Sequence, residues 1–245
     1  MQIKRLRIGL LLLGILILSL KLSFVSNLLD KWAVNRVQLL VQKREEFKNR
    51  WLGIGVIQYP SDLLAYAELI NEVRPDLIIE TGTNYGGLAV FLASVLQNLD
   101  PHSKVVTIDI ESERWQATKI SSKLPSELLS RIEFLQGNSV SDQILNEVRR
   151  LADGRRAMVI LDSLHTVEHV SKELNLYSQF VALDSYLIVN DTHLESLGIM
   201  GFRTSTGPLT AVQQFLQSDS RFTIDSRYPK SIISCAPSGF LRRVR

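Results

Sequence analysis

Residues 160–170 read ILDSLHTVEHV, and two readings of this stretch lead to different folds. In one, His165, Glu168 and His169 spell H-x-x-E-H, the zinc-peptidase helix motif run backwards. That motif needs both histidines on one continuous helix face and a third ligand on another helix. In the other, MVIL (158–161) is a buried strand whose carboxyl end presents Asp162, and His165 sits on the loop just past it. His165 comes within three residues of the apolar run, where a helix is only beginning. The nearest third ligand, Glu195, follows another strand in a loop. The strand reading is therefore preferred, with His169 and Glu168 assigned to the next helix and a zinc hydrolase kept as the minor alternative.

Working outward, the same short apolar run recurs. DLIIET (76–81), KVVTIDI (104–110), IEFLQG (132–137), AMVILDS (157–163) and SYLIVND (185–191) are each followed by polar or helical sequence. Continuous apolar strands alternating with helices predict a parallel sheet covered on both faces. FTIDSRY (222–228) and SIISCAPSGFLRRV (231–244), joined by a turn at Pro229-Lys230, predict an antiparallel C-terminal hairpin on the sheet edge. The fold class is thus α/β: a doubly wound, Rossmann-like, seven-stranded sheet, preceded by a hydrophobic N-terminal anchor helix.

Residues 7–25, RIGLLLLGILILSLKLSFV, are apolar on every side apart from Arg7 and Lys21. Eighteen residues at about 1.5 Å each span roughly 27 Å, enough for a hydrocarbon core. No small-residue cleavage site follows, so an uncleaved anchor is expected. The organisation read from the sequence is an anchor over 1–26, a basic linker helix and lead-in over 27–60, and the α/β domain over 61–245. Residues 1–50 carry ten Lys/Arg against three Asp/Glu, while residues 51–245 carry eighteen against twenty-two. The basic character belongs to the N-terminal arm and the globular part is mildly acidic. No basic stripe with aromatics exists there to suggest a nucleic-acid partner. Cys235 is the single cysteine and cannot form an internal disulfide; its apolar surroundings predict a buried strand thiol.

Ligands of open α/β sheets bind at the carboxyl ends of the strands. Those ends carry Glu80, Gly82, Thr83, Gly86 and Gly87; then Asp109; then Asn138-Ser139; then Asp162; then Asn190-Asp191. ETGTNYGG (80–87) matches neither the dinucleotide glycine fingerprint nor the phosphate loop, and it lacks the phosphate-binding lysine. A glycine turn combined with an acid at the next strand end suits a nucleoside carried without a pyrophosphate, such as S-adenosylmethionine (SAM). Asp162 and Asp191, each emerging from a buried strand, are oxygen donors suited to Mg²⁺.

Seven blocks, from WLG…QYPSD through RPDLIIETGTNYGGLAVFLAS, VVTIDI, VILDSLHTVEHVSKELNLYSQFV, SYLIVNDT and GPLTAVQQFL to GFLRR, together resemble the cephalosporin hydroxylase / rhamnosyl O-methyltransferase family. The resemblance runs from Trp51 to Arg243. It implies a SAM- and Mg-dependent O-methyltransferase acting on a hydroxyl, of a sugar in a glycan or glycolipid. Carried over, Glu80, Gly82, Thr83 and Gly86 match the SAM turn, Asp109 the ribose acid, and Asn138 and Ser139 the loop beside the adenine. Asp162 matches a cofactor-side metal carboxylate. Asn190 and Asp191 stand where the family has Glu-Asp, so Asn190 removes one negative charge and lowers the expected Mg affinity. Leu88 stands where a serine is usual. His165, three residues past Asp162, occupies the place of the catalytic lysine in catechol O-methyltransferases and is the expected general base. The anchor places the enzyme on a membrane with its catalytic domain on the cytoplasmic side, and an oligomer is compatible with the sequence. The alternative is a catalytically weak or inactive membrane-tethered binding protein of the same fold.

Overall fold

The computed structural model describes residues 25–26, 29–30, 32–121, 124–197 and 206–245. A helix over residues 32–43 leads into a hairpin of β1 (Lys48–Trp51) and β2 (Ile54–Ile57). Helix α1 (Pro60–Val73) follows, then β3 (Leu77–Thr81), α2 (Gly87–Gln97), β4 (Lys104–Asp109), α3 (Glu113–Ser121), α4 (Ser126–Leu129) and β5 (Ile132–Gln136). The second half continues through α5 (Asp142–Ala152), β6 (Ala157–Leu161), α6 (Val167–Tyr177), β7 (Tyr186–Val189), α7 (His193–Leu197), α8 (Pro208–Ser218), β8 (Phe222–Ile224) and β9 (Phe240–Arg243).

The main sheet has the order β5-β4-β3-β6-β7-β9-β8. The first five strands in that order are parallel, and β9 runs antiparallel to both β7 and β8. Strands β3, β6 and β7 are buried along their whole length, as their unbroken apolar sequence requires when helices cover both faces. The two-residue side-chain period sorts them: Ile78, Met158 and Ile188 meet α1 and α2, while Ile79, Val159 and Leu187 meet α5, α6 and α8. Strand order reverses between β3 and β6, which opens the crevice where a doubly wound sheet binds its ligand.

The C-terminal strands pair as expected, but the link between them does not. Residues 225–239 form a long loop that returns over α1 instead of a tight turn, and Cys235 is buried in that loop rather than in a strand. Asp62, fully buried on α1, accepts from Ser234 Oγ at 2.6 Å and Cys235 N at 2.7 Å and so fastens the loop. Burial pushes its carboxyl up to about 6 despite these two donors.

The linker helix and lead-in read over residues 27–60 contain a hairpin that the sequence reading did not include. The helix stops at residue 43, and β1 and β2 pair with Trp51 opposite Ile54. Leu52 (φ 49°) and Gly53 (φ 84°) are both left-handed, the signature of a type I′ hairpin turn. The hairpin packs on the start of α2, where a Cβ on Gly87 would lie 2.0 Å from the Gly55 carbonyl oxygen. Only glycine permits that approach.

Among the described residues, no helix is long and apolar enough to cross a membrane, which overturns the assignment to a membrane-anchored location. The apolar stretch proposed as the anchor lies, apart from Val25, outside the described residues.

Candidate active site

A cleft of about 740 Å³ runs across the carboxyl ends of β3, β4, β5, β6 and β7. Its geometry follows from the sheet register. Thr81 lies beside Leu161, so the two loops leave side by side, and Asp162 N donates to the Thr81 carbonyl at 3.0 Å. Gly82 (φ 91°) lets them touch: a Cβ there would sit 1.9 Å from the Asp162 carbonyl oxygen. Gly86, also left-handed, caps the N-terminus of α2.

At one end of the cleft lie Glu80, Thr83, Asp109, Asn138 and Ser139. Thr107 Oγ donates to Glu80 Oε2 at 2.6 Å, which leaves the Thr83 hydroxyl to donate to Thr107 at 2.7 Å. Burial, with a smaller push from Asp109, takes the Glu80 carboxyl up to about 8 against the opposing Thr107 bond. Asp109 accepts from the backbone of Asn84 (2.9 Å) and Glu111 (3.1 Å), one bond to each oxygen. Each carboxylate oxygen can accept a second bond, so capacity remains for a diol. Asn138 is exposed and bonds Val140 N, whereas Ser139 is buried, 3.2 Å from His169 Nε2.

At the other end, donor atoms of Asp162, His165 and Asp191 all lie within 4.8 Å of one another. His165 Nε2 is 3.1 Å from Asp191 Oδ2. Asp191 adopts a left-handed backbone (φ 59°) in the turn between β7 and α7. Burial first, and then the charge of Asp191, push the Asp162 carboxyl well above the usual range. The nearby Asn190 amide and the hydrogen bond from Gln58 offset part of that. A carboxylate raised in this way by burial and a neighbouring charge is relieved by a cation, and the oxygens of Asp162 and Asp191 at adjacent strand ends are a fitting donor pair for a hard divalent ion, with the His165 imidazole left beside it.

Asn190 does not stand ready as a ligand. Its Oδ1 accepts from the buried Tyr66 hydroxyl at 2.7 Å, which turns the amide N–H₂ towards Asp162. Ligation by its oxygen requires the amide to turn over, with the phenol then accepting. Leu88 is buried on α2 and lines the cleft.

The H-x-x-E-H residues are not brought together as ligands. Thr166 caps α6, accepting from His169 N, so His165 precedes the helix. His169 faces Ser139 and Glu173 instead. Glu195 accepts from Thr206 N, Thr210 N and the Thr210 hydroxyl, fastening the start of α8.

Sequence reasoning missed the contribution of the lead-in. Gln58, at the end of β2, donates from Nε2 to Asp162 Oδ2 at 2.9 Å. Gln42, on the helix over 32–43, reaches His193 Nε2 at 3.0 Å. The Cys235 carbonyl, 3.0 Å from His193 Nδ1, can only accept, so Nδ1 carries the proton and Nε2 accepts from Gln42. Burial lowers the His193 pKa and keeps this ring neutral. Asp191, His193 and Cys235 also lie within metal-ligating distance of one another. However, both ring nitrogens are engaged, and burial keeps the Cys235 thiol protonated. The signal for Gln58 was its polar side chain closing the apolar run IGVI and opening the QYPSD block.

Fold and cleft define a Rossmann-like α/β protein of the methyltransferase architecture. The chain belongs to the Rhamnosyl O-methyltransferase/CmcI family, whose model matches residues 43–244. It is 28% identical over 204 residues to a rhamnosyl O-methyltransferase of Mycobacterium bovis, covering 80% of this chain and 78% of the relative. Among solved structures, CmcI with Mg and SAM superposes with a TM-score of 0.60 at 18% identity, covering 80% of this chain and 77% of that one. TomG, an O-methyltransferase from Streptomyces achromogenes in complex with SAM, gives a TM-score of 0.50 at 17% identity, covering 75% and 79%.

Proposed function

We propose that the protein transfers the methyl group of SAM to a hydroxyl of a sugar in a glycan or glycolipid, with Mg²⁺ at the acidic end of the cleft. The observation that carries this reading is the pairing of two unlike ends in one crevice. Glycine turn and ribose-type acid stand at one end, and Asp162, His165 and Asp191 cluster at the other. Membership of the family supports it, as does the rhamnosyl O-methyltransferase name of the relatives.

In this reading Asp109 accepts the ribose hydroxyls, Glu80, Gly82, Thr83 and Gly86 surround the methionine side, and Asn138 and Ser139 flank the adenine. SAM supplies a methyl carbon on a positive sulfur. Asp162 and Asp191 would hold the magnesium, with Asn190 as a weaker third ligand once its amide turns; such an ion acidifies a bound hydroxyl. His165 takes the hydroxyl proton, and Asp191 at 3.1 Å stabilises the imidazolium that forms. The carbon–sulfur bond breaks as the oxygen–carbon bond forms, and the proton passes from His165 to solvent.

The test is incubation of the protein with isotopically methyl-labelled SAM, Mg²⁺ and methyl glycosides, read by mass spectrometry. A gain of one labelled methyl group is expected. Calorimetric binding of SAM without transfer to any acceptor would favour a non-catalytic binding protein instead. Replacing His165 by Gln is expected to lower turnover by about 10²- to 10⁴-fold with SAM affinity unchanged. Unchanged turnover removes His165 from the reaction.

A further inference from the structure

Gln58 is 2% exposed, lines the cleft, and spends its Nε2 on Asp162. Its Oε1 is buried and has no hydrogen-bond partner among the described residues. A buried amide oxygen left without a donor is costly, so such an atom on a residue that lines a cleft marks the place of a ligand's O–H or N–H.

Resting on the methyl-transfer reading above, we propose that Gln58 Oε1 is a specificity-determining acceptor that binds the hydroxyl adjacent to the one being methylated. The substrate class is therefore a vicinal diol. The argument is one of spacing. Oε1 lies about 2.3 Å from Nε2 across the planar amide. Nε2 is 2.9 Å from Asp162 Oδ2, so the carboxylate oxygen and Oε1 stand no more than about 5 Å apart. Two hydroxyls on neighbouring carbons reach such a pair together, one at the Asp162–Asp191 end and the next donating to Gln58. A lone alcohol satisfies only the first.

Gln58 is suited to the task because its other end is fixed. The bond to Asp162 holds the amide plane, and Asn49 Nδ2 donates to the Gln58 backbone carbonyl at 2.8 Å, pinning the end of β2. The amide therefore cannot simply turn its N–H₂ into the cleft without leaving Asp162. The acceptor is presented at a set position, which is the condition for discriminating against an analogue lacking one hydroxyl.

The probes are methyl α-L-rhamnopyranoside and its 2-, 3- and 4-monodeoxy analogues. They are titrated by NMR into wild-type protein holding Mg²⁺ and S-adenosylhomocysteine, so that binding is read without turnover. With wild type, at least one analogue that keeps the methylated hydroxyl but lacks its neighbour should bind about 10- to 100-fold more weakly than the parent. In Gln58→Met, checked for folding by circular dichroism and for unchanged S-adenosylhomocysteine affinity, that difference should collapse to within about twofold. The Gln58–Asp162 bond is lost equally for both ligands, so the cycle isolates the contact to the neighbouring hydroxyl. Equal binding of all four glycosides to wild type overturns the proposal, as does discrimination that survives in Gln58→Met, or failure of the diol to bind at all. Gln58-dependent binding without methyl transfer leaves this inference standing and sinks the enzymatic reading.

Discussion

Where β3, β4 and β5 end, each polar group is held by close structural neighbours, whereas where β6 and β7 end, the holding groups come from far away in the chain. Thr83, Thr107 and Glu80 form a chain of hydroxyls across two adjacent strands, and Asp109 is fixed by backbone amides of the neighbouring loops. By contrast, Asp162 is held by Gln58, 104 positions away, and His193 by Gln42, 151 positions away. Two consequences follow. The end at β3, β4 and β5 is made rigid by the sheet itself. The acidic end is completed only when the lead-in docks, so its chemistry depends on a segment that contributes nothing to the parallel sheet.

The difference is sharpest where the acids themselves are changed. Asp162→Asn is expected to lower methyl transfer by about a thousandfold while SAM affinity moves by less than about threefold. A parallel loss of SAM binding would mean that the two ends are one unit. Next comes Glu80. A carboxyl raised to about 8 when folded contributes stability below the unfolded pKa near 4.5, and that contribution is lost as pH rises through 8. Glu80→Gln should therefore gain on wild type by on the order of 2 to 4 kcal/mol between pH 5 and 9 in urea unfolding without ligand. A difference between the two proteins that stays constant with pH would contradict the buried, protonated state. The smallest effect is expected at the far support. Gln42→Ala removes one hydrogen bond to the neutral His193 and should raise the acceptor KM by about tenfold, with SAM affinity unchanged. If Gln42→Ala weakens SAM instead, the lead-in serves the whole cleft and the contrast drawn here fails.

Most of the sheet was legible because parallel strands buried on both faces must be written as apolar runs, and LIIET, AMVIL and YLIV allow little else. The strand-end acids were legible for the same reason: a charge directly after such a run has to emerge at the sheet's edge. The hairpin over 48–57 was not, because its type I′ turn is formed by Leu52-Gly53 rather than by an Asn-Gly or Asp-Gly pair. Nor was the loop over 225–239. Its apolar SIISCA imitates a strand, yet Ser234 and Cys235 bury themselves against Asp62 and the helix over 32–43, while Ile232 stays exposed.

The sequence alone determined the layered sheet and the identity of the residues at each strand end, because burial period and strand termination are local properties of the chain. Only the tertiary structure decided which of those residues act together. His165 was separated from His169 by the start of α6, and the Asn190 oxygen was turned to Tyr66. Gln58 was brought to Asp162 by a hairpin that packs through Gly87. Hydrogen bonds between residues more than a hundred positions apart leave no periodic trace in a sequence; they exist only once the segments that carry them have packed.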